Sequence, residues 1–390
     1  MSTMTARARP LPSVASPDFT PKAAPSSVGE IKALTGLRGI AALYVVIFHT
    51  NGHYRFPSLV LPFIRHGYIA VDLFFILSGF VMAMTYSSLF EDGFKLKNFK
   101  HFILLRLARI YPLFALMTLL TAVLIATVLS DTYPFADLGK ALLFNFTLTH
   151  VWGFCNSIVP PSWSISTEWL AYLLFPIGIY VAMRVPRRYS LLGLLVSFAV
   201  LIYIAYGPVW LAKSPLNVRH GPLDIVSSYA IGTTLRCLAS FYIGLVAYRF
   251  HKLVPARAAG ILFVCVLIML CFRESDLWLI GVFAVLIMSL SHDTGAVARL
   301  LRMKAFYWLG LVSYALYLIH DLIQKIIFKA LPFWGVGQDV PRVAWAAISI
   351  ALSLALAALC HHYYEKPSRR IFRNLVFKTR TPKVALTPAE

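Results

Sequence analysis

The chain has 390 residues, 59% of them hydrophobic and only 13% charged, where soluble domains carry about a quarter charged residues; mean hydropathy is +0.73. This excludes an ordinary soluble domain and indicates an all-α polytopic membrane protein with no separate soluble domain. The net charge of +20 is spread between apolar runs rather than gathered on one soluble basic face, which argues against a nucleic-acid partner.

Residues 1–33 are rich in Pro, Ala and Ser and lack the continuous apolar stretch of a signal peptide. They are expected to form a disordered tail ahead of an uncleaved first span. Apolar runs of helix-spanning length lie near 34–53, 67–90, 110–130, 163–183, 189–207, 229–250, 258–273, 277–291, 305–328 and 342–362. About ten transmembrane helices are therefore predicted over 34–367, with a basic tail at 368–390. Residues 1–33, the connections 91–109, 184–188, 249–257 and 292–304, and residues 363–390 together hold 25 Lys and Arg, against about nine in the opposite connections. By the positive-inside rule both termini are expected in the cytoplasm. An eleventh span at 138–152 would invert the later loops and erase that bias, so this stretch is predicted to be a short re-entrant or interfacial helix. The five cysteines, Cys155, Cys237, Cys265, Cys271 and Cys360, show no CxxC or metal-like spacing, and neither a disulfide framework nor a metal site is expected.

Ionisable groups inside spans face a bundle interior or an aqueous cavity, and a functional role is the first hypothesis for them. The first span, "LTGLRGIAALYVVIFHT", carries Arg38 and His49. Their separation is about 16 Å along a helix and about three turns, so they share a face but not a depth. Snorkelling of Arg38 and an end-capping role for His49 are the structural alternatives. The second span places Asp72 in its outer third, at the depth of His49, where a carboxylate could orient the imidazole. Ser78 and Gly79 lie near its middle and also suit close helix packing.

Arg106 and Arg109 in "RLARIYP" are spaced i, i+3 on one helix face. They suit a bidentate phosphate clamp or, equally, two topology anchors. Glu168 lies about a turn and a half into "PPSWSISTEWLAYLLFP", beside Trp163 and Trp169. Buried there it must protonate or find a cation, which suits an acid or base; the tryptophans fit an interfacial belt. "WLGLVSYALYLIHDLI" contributes Ser313, Tyr314, Tyr317 and His320, as ligand contacts or as packing. Arg236 has no partner assignable from sequence, Glu365 and Lys366 are expected to pair locally, Pro367 to end the last helix, and His361 and His362 to be interfacial. A cationic level (Arg38, Arg106, Arg109) and an acid/base level (His49, Asp72, Glu168) result.

The Arg-x10-His pair, "GYIAVDLFFILSGF", "RLARIYP", "PSWSISTEW", "GLVSYALYLIH" and terminal "YYEKP" occur in that order and together resemble the acyltransferase-3 family of integral membrane O-acyltransferases. The resemblance implies a ten-helix domain in the bacterial cytoplasmic membrane. It implies an acyl group, usually acetyl, taken from cytoplasmic acyl-CoA as donor substrate, with no permanently bound cofactor, and delivered to a hydroxyl of an extracytoplasmic or lipid-linked glycan. Acyl-CoA, the glycan acceptor and membrane lipid are the implied partners. His49 is then the essential catalytic residue, either an acid/base group oriented by Asp72 or Glu168 or the carrier of an acyl-histidine intermediate, and Arg38, Arg106 and Arg109 face the donor. Ser78, Trp163, Tyr314 and His320 are acceptor-contacting or packing residues. Some relatives append a hydrolase-like extracytoplasmic domain, which this sequence does not show. A transporter or flippase of an anionic glycolipid, a scaffolding membrane subunit, and an acyltransferase acting on a small molecule or peptidoglycan are the competing readings.

Overall fold

A computed structural model describes residues 29–129, 137–225, 231–337 and 339–377, without the side chains of 373 and 375–377. Most of the expected tails, 1–28 and 378–390, lies outside these residues. The described chain is helical: α1 (Lys32–Thr50), α2 (Ala70–Tyr86), α3 (Leu96–Thr127), α4 (Leu138–Phe146), α5 (Trp163–Met183), α6 (Arg187–Tyr206), α7 (Ile231–Phe250), α8 (Ala259–Met269), α9 (Asp276–Leu290), α10 (Lys304–Lys325), α11 (Arg342–Cys360) and α12 (Lys366–Phe377). Among the described residues, eight helical segments are long and apolar enough to cross a membrane. The short apolar pair α8 and α9 turns tightly at Arg273–Ser275. α6 and α11 leave most of their apolar side chains uncovered, the pattern expected of helices whose outer faces meet lipid.

Two departures from the predicted spans matter for the site. α3 begins at Leu96, well before the apolar run at 110, because hydropathy registers only the membrane portion of a helix about 48 Å long. Arg106 and Arg109 consequently sit inside the helix rather than at its entrance. α4 is nine residues, about 14 Å, too short to cross. Asp137 caps it by accepting from the Lys140 amide at 2.8 Å, and Asn145 ties back Asn156 and Ile158.

Glycine lets two pairs of parallel helices approach closely. A Cβ on Gly39 of α1 would lie 2.4 Å from the Gly310 nitrogen of α10, and one on Gly79 of α2 would lie 2.0 Å from the Phe241 carbonyl oxygen of α7. Small residues at such crossings allow backbone-to-backbone packing between membrane helices. The α1–α10 pair fixes both Arg38 and His49 against α10. The α2–α7 pair fixes Asp72 against α7.

The C-terminus also differs from expectation. α11 continues through a π-turn, His361–Glu365, into α12, which packs on α3. Pro367 follows the π-turn within the continuing helix rather than ending it.

Candidate active site at the two ends of the α1–α10 pair

His49 and Arg38 both reach α10, as their common face requires. At one end His49 Nδ1 lies 2.8 Å from His320 Nε2, with the rings stacked at 5.0 Å. His320 Nδ1 lies 3.1 Å from the Leu316 carbonyl. A carbonyl only accepts, so His320 carries its proton on Nδ1 and offers the lone pair of Nε2. His49 must then donate from Nδ1, which leaves its Nε2 unprotonated. The fixed tautomer makes His49 Nε2 a base. His49 is half-buried and His320 fully buried, and Gln324, one turn further, donates to Thr50 Oγ1 at 3.0 Å.

At the other end a cavity of about 440 Å³ opens between α1, α2, α3, α5, α10 and the C-terminal helix. Arg38, Arg106, Arg109 and Arg369 all line it. Arg38 donates to Ser313 Oγ at 3.0 Å and to the Gly310 carbonyl at 2.9 Å. Arg106 lies over the Tyr86 ring at 4.8 Å and donates to its hydroxyl. The cavity extends past Ser78, Glu168 and Tyr172, where Ser78 and Tyr172 both donate to the Glu168 carboxylate. It also reaches Ser164 and Tyr317, whose hydroxyls lie 2.8 Å apart. The Tyr317 ring is 6.1 Å from that of His320, so one aromatic side chain separates the cavity wall from the histidine pair. Tyr314 lines the cavity as well and donates to the Ile110 carbonyl at 2.5 Å.

The acyltransferase domain of the acyltransferase-3 family matches residues 31–362, most of the chain. The chain belongs to the acyltransferase-3 family. It is 26% identical to YrhL of Bacillus subtilis over 91% of this chain and 58% of that protein. It is 24% identical to the peptidoglycan O-acetyltransferase OatA of Listeria monocytogenes over 87% of this chain and 56% of OatA. With the acyltransferase MdmB of Streptomyces mycarofaciens it shares 25% identity over 89% of this chain and 94% of MdmB. The chain thus spans less than two thirds of the first two relatives. No solved structure matches it.

In this acyltransferase-3 chain Asp72 does not orient His49. Asp72 is fully buried and accepts from Arg236 Nε at 3.0 Å on each oxygen and from Ser240 Oγ at 3.1 Å. Arg236 completes its set on the Ile225 and Tyr68 carbonyls and lies 5.6 Å over Trp163. Trp163 is therefore a buried cation–π partner rather than part of an interfacial belt. Glu168 does not contact His49 either; its bonds go to Ser78 and Tyr172, on the cavity that the arginines share. The residue that holds His49 is His320. Depth alone put His49, Asp72 and Glu168 on one level, but depth says nothing of which way each helix face turns. Arg236, at the depth of Asp72, was the sequence signal for the true pairing.

Sequence reading also missed the C-terminal contribution. His361 is buried and lines the cavity rather than lying at an interface. Glu365 pairs with His361 Nδ1 at 2.8 Å and with Arg369, not with Lys366.

Proposed function

We propose that this acyltransferase moves an acetyl group from cytoplasmic acyl-CoA to a hydroxyl of an extracytoplasmic or lipid-linked glycan, with His49 as general base. The observation that carries the reading is the His49–His320 pair, whose tautomers leave His49 Nε2 free to accept a proton. The cationic cavity at the other end of α1 supports a phosphate-bearing donor, because guanidinium groups bind phosphate oxygens through paired, charge-assisted hydrogen bonds. Membership of a family whose named relatives include a peptidoglycan O-acetyltransferase supports O-acetyl transfer.

In the proposed reaction His49 Nε2 takes the proton of the acceptor hydroxyl as its oxygen attacks the thioester carbonyl. The C–S bond breaks, and the departing thiolate recovers that proton from the imidazolium. His320 keeps its Nε2 lone pair on His49 Nδ1–H throughout and so favours the positive ring. Arg38, Arg106 and Arg109 hold the donor's phosphates, with the thioester directed past Glu168 and Tyr317. The arginine end is the cytoplasmic end in this proposal, in the bacterial cytoplasmic membrane. Both tails then lie in the cytoplasm.

Mass spectrometry of surface glycans from cells with and without the gene tests the transfer: an acetyl mass increment dependent on the chain is expected. A glycolipid transporter would give none. Purified protein that consumes acetyl-CoA in the absence of a membrane potential separates the two readings, and its failure to do so with any hydroxyl acceptor contradicts the proposal.

A further inference from the structure

Buried polar groups are almost always hydrogen-bonded, so those that are not point to a missing partner. Three nitrogens on residues lining the cationic cavity are buried without one: Arg106 Nε on α3, and His361 Nε2 and Arg369 Nε on the C-terminal segment. Arg106 and His361 are each only 7% exposed, so water has little access to satisfy them. The remaining nitrogens of Arg106 and His361 are occupied, and so is one Nη of Arg369. Arg106 uses its Nη atoms on Tyr86 and on Met82 Sδ at 3.4 Å. His361 gives Nδ1–H to Glu365 at 2.8 Å, and Arg369 gives Nη2–H to the other oxygen of the same carboxylate. The two open nitrogens of the C-terminal segment thus belong to side chains held in place by one acid.

Charge sharpens the point. Arg109 is near enough to repel both Arg38 and Arg369. Four guanidiniums line the cavity with two carboxylates, Glu30 and Glu168, so positive charge is in excess there and attracts an anion. The C-terminal segment joins this wall through the π-turn His361–Glu365. One extra residue in the turn rotates the following helix by about 100° relative to an α-helical continuation, and such turns recur at functional sites. α11 shows most of its surface outward, yet Arg369, just beyond the turn, lines the cavity.

We propose that His361 and Arg369, oriented by Glu365, form a second phosphate-binding wall beside Arg106 and Arg109. The ligand class is a molecule with more than one phosphate group, and its source is the nucleotide portion of the acyl-CoA donor. The inference rests on the acyl-CoA reading above but adds residues that reading does not use. Arg369 and His361 bind the donor, and Glu365 positions them.

The test titrates coenzyme A into the purified full-length protein in lipid nanodiscs, as wild type, Arg369→Gln, Arg369→Lys and His361→Gln. Arg369→Gln is expected to weaken coenzyme A binding by about tenfold or more, His361→Gln by less, and Arg369→Lys to retain part of the affinity, since it keeps the charge but loses the fork. In turnover with acetyl-CoA the loss should appear in KM more than in kcat. Unchanged coenzyme A affinity in both Gln variants overturns the inference while leaving the acyl-CoA reading standing. No coenzyme A binding by the wild type overturns both. A parallel titration with phosphatidylglycerol addresses the other source of phosphate: loss of lipid binding in Arg369→Gln with coenzyme A binding intact assigns the wall to a lipid headgroup and overturns the inference. An Arg369→Lys protein as weak as Arg369→Gln, with its melting temperature lowered alike, reduces Arg369 to a structural strut and overturns it too.

Discussion

Arg236 and Arg106 are both buried inside the bundle, and their surroundings differ in kind. Arg236 is fully enclosed, paired to Asp72, bonded to two carbonyls and stacked on Trp163. Arg106 has a thioether, a tyrosine and an unpartnered Nε, and it shares its cavity with three other guanidiniums. A charge whose bonds are complete holds the structure. A charge whose bonds are incomplete, beside others of the same sign, still has a hydrogen bond to give.

The strongest way to break this comparison is to remove the counter-ion of Arg236. Asp72→Ala leaves a buried cation uncompensated, which typically costs about 3–5 kcal/mol, so a sharp fall in the yield of folded, detergent-stable protein and in its melting temperature is expected. A variant that folds and melts like wild type would make Asp72 something other than a strut. The reverse case is Arg106→Gln with Arg109→Gln. Here melting should hold or rise, as like-charge repulsion is relieved, while KM for acetyl-CoA rises by about a hundredfold, from two lost charge-assisted contacts. Retained donor affinity would return both residues to the role of topology anchors. Arg38 is intermediate, since Ser313 and the Gly310 carbonyl hold two of its nitrogens. Ser313→Ala removes one hold and leaves the other, and a change of only a few-fold in KM is expected; a loss as large as that of the α3 pair would place Ser313 itself against the donor.

Depth was legible in the sequence and direction was not. The predicted fourth span, 163–183, coincides with α5 because Pro160 and Pro161 precede it and a continuous apolar run fills it. The shared face of Arg38 and His49 follows from helical spacing alone, and both residues do meet α10. The partner of His49 was beyond such reasoning. His320 is 271 positions away, and its meeting with His49 depends on the close α1–α10 approach at Gly39 and Gly310. Asp72, at the same depth, is turned away because Gly79 and Gly244 bind α2 to α7. The π-turn at 361–365 leaves no trace in hydropathy, so the entry of Arg369 into the cavity appears only in three dimensions. Arg106 and Arg109 looked terminal because the polar first turns of α3 lie outside the apolar run.

The central claim is that the free nitrogen of His49 performs the transfer while the donor is held at the other end of the helix. The most direct measurement is acetyl-CoA turnover by purified His49→Ala protein, with coenzyme A affinity determined on the same sample. The account predicts affinity within a few-fold of wild type and turnover reduced by at least about a hundredfold, the lower bound for loss of a general base. A His49→Ala protein that transfers acetyl at close to the wild-type rate would contradict it.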